Sequence, residues 1–453
     1  RAMAGAAAGG LLASRAWARS GRRPRLQRDV RRASRARGRL RAVAAVASSL
    51  AAAALALAWR RGSGAAAPAL LDPDESRRPR GQRPAALPSP DTLRHRLAAL
   101  RPIRQFVNAS RAAAAAVLRS EDDRLLAIVG PCSIHDLTAA RDYAARLRAV
   151  AAEHRADLFV MMRVYLEKPR TAVGWRGLVS DPDLSGREDV ARGVELGRRV
   201  MLDVNAAGLP VATEFLDPLV APFFEDLVAY GSIGARTVES PTHRALAAHL
   251  AMPIGFKNAR SGDIQSAVNA AVAAAAPQRR LAPDGRGRVQ ISQAPGNPHG
   301  HVVLRGGEDG PNFGNASVAE AVQRLGKAGI AGARVVVDCS HANSGKRHEG
   351  QVEACESVAA QVAGGASGLG GVMVESFLQA GNQPLDPGVT KPSDLRYGVS
   401  VTDECMDFGA TEALLRRLAG AVRERRERNV VVGWASASTA EAAPGAARSH
   451  AAA

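Results

Sequence analysis

The 453 residues carry a formal net charge of +18, 46% hydrophobic residues and only 4 cysteines, enough chain for one large domain with appendages. No two cysteines form a CxxC pair, and with a core this large a disulfide-stapled scaffold is excluded. The basicity is local: residues 1–71 hold 15 arginines, no lysine and one acid (Asp29), while the remaining 382 residues hold 46 basic and 42 acidic side chains, so the bulk of the chain is no polybasic nucleic-acid binder.

In chain order, residues 1–71 read as an Arg-, Ala- and Ser-rich targeting leader of the organelle transit type. It lacks the aromatic interleaving of a nucleic-acid arm, and no nucleic-acid partner is expected. Residues 42–59 are 18 uncharged residues between Arg41 and Arg60–Arg61, long enough for a signal or stop-transfer element but rich in alanine. A plastid stroma location is the expectation, with the cytoplasm as its alternative. Residues 72–90 form a Pro- and charge-rich linker. A helix is predicted around 109–119.

Eight short apolar runs then follow: LLAIVGPC (125–132), LFVMMRV (158–164), LPVATEF (209–215), SIGART (232–237), MPIGFKN (252–258), HVVLRGG (301–307), RVVVDCS (334–340) and GGVMVES (370–376). Segments of helical pattern separate them. Near-continuous apolar strands alternating with amphipathic helices predict a parallel sheet buried on both faces, and eight units predict a (β/α)8 TIM barrel over 91–425 behind an N-terminal extension. An open doubly wound sheet is the rival, but its Gly-rich phosphate turn is missing. Residues 426–453 read as a low-complexity tail.

Chemistry gathers at the ends of these runs, where barrel enzymes keep their active sites. Cys132, His341, Glu375 and Asp403 offer one soft, one borderline and two hard ligands, a mixed set suited to a divalent Mn, Fe, Co or Zn. Each alone has a plain reading: a core cysteine, a loop histidine, a strand-end carboxylate, a helix cap. Arg163, Lys168, Arg236, Lys257 and Arg305 stand at similar strand ends. Only five lysines occur against 56 arginines, so Lys168 and Lys257 are notable as compact point charges. The segment RVYLEKPRTAVGWRG (163–177) adds Arg170 and the hydroxyl of Thr171. A metal beside a basic nest suits a phosphorylated acid and an electrophilic carbonyl.

The segments DDRLLAIVGPCSIHD, RVYLEKPRTAVGWRGL, LPVATEFLDP, GSIGARTVES, PIGFKN, HVVLRGG, DCSHANSGK, GVMVESFL and YGVSVTDEC resemble, in order from about residue 88 to 425, the class I 3-deoxy-7-phosphoheptulonate synthases. The resemblance implies condensation of phosphoenolpyruvate with erythrose 4-phosphate and release of phosphate, the entry step to aromatic amino acids. By motif position it implies Cys132, His341, Glu375 and Asp403 as metal ligands and Arg163, Lys168, Arg236, Lys257 and Arg305 as phosphoenolpyruvate contacts. Arg170 and Thr171 would bind the aldose phosphate. The catalytic set is expected to be Lys168 as proton donor, Glu214 to position water, and the ligands His341 and Asp403. The resemblance further implies a homodimer or homotetramer and an aromatic amino acid effector, and Cys405 is expected near Cys132, able to form an inactivating disulfide without metal. Residues 277–300 depart from the family's usual sequence, in a region that helps form its effector pocket, which leaves the effector open. The competing readings are a 3-deoxy-octulosonate 8-phosphate synthase, with the same chemistry on arabinose 5-phosphate, and a non-catalytic regulatory paralogue.

Overall fold

The structure, a computed structural model, describes residues 87–330 and 332–441, with side chains as far as residue 429. The leader, its 42–59 segment and most of the 72–90 linker lie outside the described residues. No helix among the described residues is long and apolar enough to cross a membrane.

Each of the eight apolar runs contains or overlaps one strand of a closed parallel barrel. The strands are β1 (Leu125–Gly130), β2 (Leu158–Arg163), β3 (Val211–Glu214), β4 (Tyr230–Ile233), β5 (Ile254–Lys257), β8 (Gly300–Leu304), β9 (Val335–Asp338) and β10 (Leu369–Glu375). Their order around the barrel is β1-β10-β9-β8-β5-β4-β3-β2, which rules out the open doubly wound sheet. The missing numbers are a two-stranded antiparallel hairpin, β6 (Gln278–Pro283) and β7 (Val289–Ala294). It occupies the 277–300 segment.

Side chains alternate across the sheet. Leu126 and Ile128 of β1 point into the barrel with Met161, Ala212, Tyr230, Val303, Val336 and Met373. Leu125, Ala127 and Val129 point out against the helices. Both faces are apolar, so the strands read as continuous runs. Each fully buried Leu or Ile adds about 1.5–3 kcal/mol.

The helix predicted around 109–119 is longer, Arg101–Leu118. Its last turn, Ala114, Val117 and Leu118, joins the interior cluster. Arg334, just before β9, donates its backbone N–H to the Leu118 carbonyl at 3.0 Å and Nη1 to the Val117 carbonyl at 3.2 Å. The helix therefore plugs the amino-terminal mouth of the barrel, and the carboxyl end is left for chemistry. The closing helix runs Phe408–Glu441, past residue 425, where the sequence placed the end of the barrel.

Candidate active site

Gly130 ends β1 at φ +155°, and a Cβ there would lie 2.9 Å from the Arg163 carbonyl. Only glycine lets β1 turn this tightly against β2. The turn delivers Cys132, fully buried, to the carboxyl rim. Glu375 closes β10, and helix Gly350–Ala363 holds it there. Gln351 donates Nε2 to the Glu375 carbonyl at 2.9 Å and accepts the Glu375 N–H at 2.8 Å. Asp403 comes from the loop before the last helix. One ligand atom each of Cys132, Glu375 and Asp403 falls within a 4.8 Å group. Three of the four expected ligands are thus brought together.

His341 stands outside that group. Its backbone is left-handed (φ +59°), a conformation that costs a non-glycine residue energy and marks an over-determined position. Its Nδ1 lies 2.7 Å from Ser340 Oγ and 3.0 Å from Asp338 Oδ2. It remains close enough to Asp403 to help hold that carboxyl below its usual range: burial alone would raise it, but Lys168 and His341 outweigh burial.

The cations divide into two sets. Arg163 is wholly buried and donates Nη2 to Glu375 Oε1 at 2.9 Å; its guanidinium sits 3.9 Å from the Tyr165 ring centroid. Its Nη1 is buried with no hydrogen-bond partner among the described residues. An orphaned guanidinium N–H inside a site is a donor awaiting an anion. Lys257 Nζ is 2.9 Å from Asp338 Oδ2, and both side chains are buried. The contact does not line up as a hydrogen bond, so it is a charge pairing. Burial would push Asp338 up, but His341 and Lys257 hold it well below the carboxylate range.

Lys168 donates Nζ to Cys132 Sγ at 3.0 Å and to the Cys132 carbonyl at 3.2 Å. Burial works against its charge, yet Cys132, Glu375 and Asp403 more than compensate and keep it protonated. Burial pushes the Cys132 thiol up to about 11, with Glu375 adding to the rise and Lys168 opposing it.

The second set faces solvent. Arg170, Thr171 and Arg236 are exposed; Arg170 donates Nε to the Trp175 carbonyl at 2.8 Å. Arg305 is partly buried, and burial lowers its pKa; Asp338 opposes this, while Arg236 and Arg260 push it further down. Like charges crowd together here, which gives the rim a positive potential. Glu214 ends β3 with Oε1 buried and unpartnered among the described residues. A Cβ on Gly234 would meet that oxygen at 2.2 Å, so the glycine is what makes room for the carboxylate. Cys405 accepts the Cys132 N–H at 3.3 Å, as its expected proximity requires.

Sequence reasoning missed Asp338, Ser340, Gln351 and Glu167. Glu167 precedes Lys168; burial, then Asp217 and Glu214, push its carboxyl up to about 8. Asp338 is the lone acid that ends the run VVVD.

The family model described as the DAHP synthetase I family matches residues 106–416. A Trp-sensitive phospho-2-dehydro-3-deoxyheptonate aldolase of Enterobacter agglomerans is 46% identical over 319 residues, 70% of this chain and 90% of that one. The phospho-2-dehydro-3-deoxyheptonate aldolase of Corynebacterium glutamicum is 47% identical over 313 residues, 68% of this chain and 84% of that one. The solved structure of phospho-2-dehydro-3-deoxyheptonate aldolase from Francisella tularensis SCHU S4 superposes with a TM-score of 0.73 at 42% identity, covering 76% of this chain and 99% of that chain.

Proposed function

The chain belongs to the DAHP synthetase I family of enzymes, and from that premise we propose that it condenses phosphoenolpyruvate with erythrose 4-phosphate and water in a metal-dependent reaction, giving 3-deoxy-D-arabino-heptulosonate 7-phosphate and phosphate. The observation that carries this reading is the sulfur–carboxylate trio Cys132, Glu375 and Asp403 within 4.8 Å, with Lys168 Nζ 3.0 Å from the sulfur.

The donors fit a borderline divalent metal: one soft sulfur, two hard oxygens and the nearby His341 imidazole. Cys132, His341, Glu375 and Asp403 would hold it, and when bound it would supply Lewis acidity at the aldehyde oxygen. The residues of the chain do the rest. Arg163, Lys168, Arg236, Lys257 and Arg305 take the phosphate and carboxylate of phosphoenolpyruvate; the orphaned Arg163 Nη1 is a ready donor. Arg170 and Thr171, on the outer loop, take the phosphate of the aldose. Two highly charged anions that repel in water are thereby held side by side. A carbon–carbon bond forms between the phosphoenolpyruvate methylene and the aldehyde carbon. Lys168 Nζ gives its proton to the developing alkoxide. A water oxygen, positioned by the unpartnered Glu214 Oε1, adds to the electron-poor enol carbon and gives one proton to that carboxylate. The carbon–oxygen bond to phosphate then breaks as the new hydroxyl returns its proton to Lys168 and the ketone forms; phosphate leaves with the bond's electron pair and takes the proton held by Glu214.

The test is phosphate release by the full chain, stripped with EDTA and resupplied with Mn²⁺, with each substrate omitted in turn. Release that needs the metal and both substrates is expected. Release from phosphoenolpyruvate alone would overturn the condensation, and release only with arabinose 5-phosphate would replace the aldose.

We further propose a homodimer or homotetramer, tested by sedimentation, and feedback by an aromatic amino acid. The name Trp-sensitive on several relatives supports the latter; unchanged rates with tryptophan, phenylalanine and tyrosine would remove it. The Arg- and Ala-rich leader is proposed to direct the chain to a plastid stroma, which a leader-fused reporter remaining in the cytoplasm would refute.

A further inference from the structure

We propose that Asp338 is a positioning residue shared by both halves of the site. Through the Ser340 hydroxyl it fixes the proton of His341 on Nδ1, leaving Nε2 for the metal. With its other oxygen it anchors Lys257 for phosphoenolpyruvate. The roles of His341 and Lys257 rest on the function proposed above; the arrangement around Asp338 does not.

Asp338 is the last residue of β9 and has no exposed surface. A carboxylate so buried persists only when its surroundings compensate it. Its Oδ1 accepts the Ser340 N–H at 3.1 Å and the Ser340 hydroxyl at 2.7 Å. Facing the Lys257 ammonium 2.9 Å away, the carboxylate is ionised and can only accept. The single hydroxyl proton of Ser340 is therefore committed to Asp338. What Ser340 Oγ offers His341 Nδ1 across 2.7 Å is then a lone pair. Nδ1 must be the N–H donor, and the lone pair of the neutral ring sits on Nε2. Around metal-bound histidines, a carboxylate or hydroxyl on the far nitrogen fixes tautomer and ring plane in just this sense.

The backbone that carries the relay is also held. Asn343 donates Nδ2 to the Asp338 carbonyl at 2.8 Å and to the Leu304 carbonyl at 3.1 Å, tying the His341 turn to β9 and β8. Oδ2 of Asp338 serves the second role. It is the ion-pair partner of Lys257 among the described residues, and it lies 3.0 Å from His341 Nδ1. One carboxylate thus sets both a metal ligand and a cation of the phosphoenolpyruvate cradle.

Histidine-selective ¹⁵N NMR on the wild-type chain tests the first role without a variant that risks misfolding, the His341 signals being assigned by their loss in His341→Gln. In metal-free protein the neutral ring is expected to carry its proton on Nδ1, and Zn²⁺ is expected to shift Nε2. A neutral ring that carries its proton on Nε2 in the metal-free protein overturns the relay. Zn²⁺ binding that leaves His341 unmoved while Nδ1 keeps its proton removes His341 from the ligand set and leaves the relay standing. The second role is read from equilibrium binding: Asp338→Asn should weaken both Zn²⁺ and phosphoenolpyruvate binding, the metal by about 10–100-fold, whereas Ser340→Ala should weaken Zn²⁺ alone. Loss at only one site in folded Asp338→Asn protein overturns the sharing.

Discussion

Replacing Glu167 by Gln is expected to stabilise the protein by an amount that grows with pH. Burial, reinforced by Asp217 and Glu214, pushes the Glu167 carboxyl from 4.5 up to about 8, against the opposing backbone N–H groups of Asp217 and Leu216. Below pH 4.5 the acid is protonated in folded and unfolded chains alike, and it contributes no pH dependence. Above that, the unfolded chain ionises while the folded one keeps its proton, so stability falls until the pH passes about 8. At 1.36 kcal/mol per pKa unit, the whole gap is worth about 5 kcal/mol. The side chain is not completely sealed from solvent, so about 2–3 kcal/mol is the expected share. Glutamine resembles the protonated acid and does not titrate. Urea unfolding of metal-free wild type and Glu167→Gln, followed by fluorescence of buried Trp175, should show equal midpoints at pH 4.5 and a widening gap at pH 6.5 and 8. Titrations of groups not coupled to Glu167 cancel in the comparison. A gap that stays constant from pH 4.5 to 8 would refute the reasoning.

Lys168→Met should lower turnover by about 10²–10⁴-fold while metal titration still finds a site; wild-type phosphate release defeats the proton-donor role. Diamide treatment of metal-free protein should link Cys132 to Cys405, whose sulfur already accepts the Cys132 N–H at 3.3 Å, and bound Zn²⁺ should protect them. Peptide mapping that finds both thiols free would end that expectation; Cys339 and Cys355, with sulfurs 2.9 Å apart, are the pair to separate from it. Gly130→Ala should cost about 1–3 kcal/mol, since its φ of +155° and the 2.9 Å approach to the Arg163 carbonyl both exclude a Cβ; an unchanged melting temperature would show that the turn relaxes.

The barrel was legible because its strands are apolar on both faces. In β1, Leu126 and Ile128 fill the interior while Leu125, Ala127 and Val129 meet the helices, so the sequence shows an unbroken run followed by a polar or ligating side chain at the rim. The same logic located Cys132, Glu375, Arg163 and Lys257. It did not find the hairpin: RVQISQA alternates, but Val289 and Ile291 are exposed, so no buried apolar run marks the strand. It also missed the plug made by the end of helix Arg101–Leu118. Whether an alanine-rich helix end enters a barrel mouth depends on where the chain arrives, which local periodicity does not encode. Asp338 was hidden by its neighbour: in VVVDCSH the histidine drew the ligand assignment, while the acid three residues earlier ended the strand and carried no motif of its own.

Charge accounting separates the cations of the site that are paired with an acid from those that are not. Arg163 and Lys257, both buried, each have an acid at 2.9 Å, Glu375 and Asp338, and without them their burial would cost several kcal/mol. Arg170, Arg236 and Arg305 have no ion-pair partner within 4.0 Å among the described residues. The interior therefore presents fixed, nearly neutral donors with directions already set, and the uncompensated positive potential lies at the rim. That division suits the two phosphorylated substrates proposed above: long-range attraction where they would arrive and preorganised hydrogen bonding where they would react. It also explains why acids are needed within a basic nest. Glu375 and Asp338 neutralise the deepest cations and aim them, and each does so from the last residue of its strand.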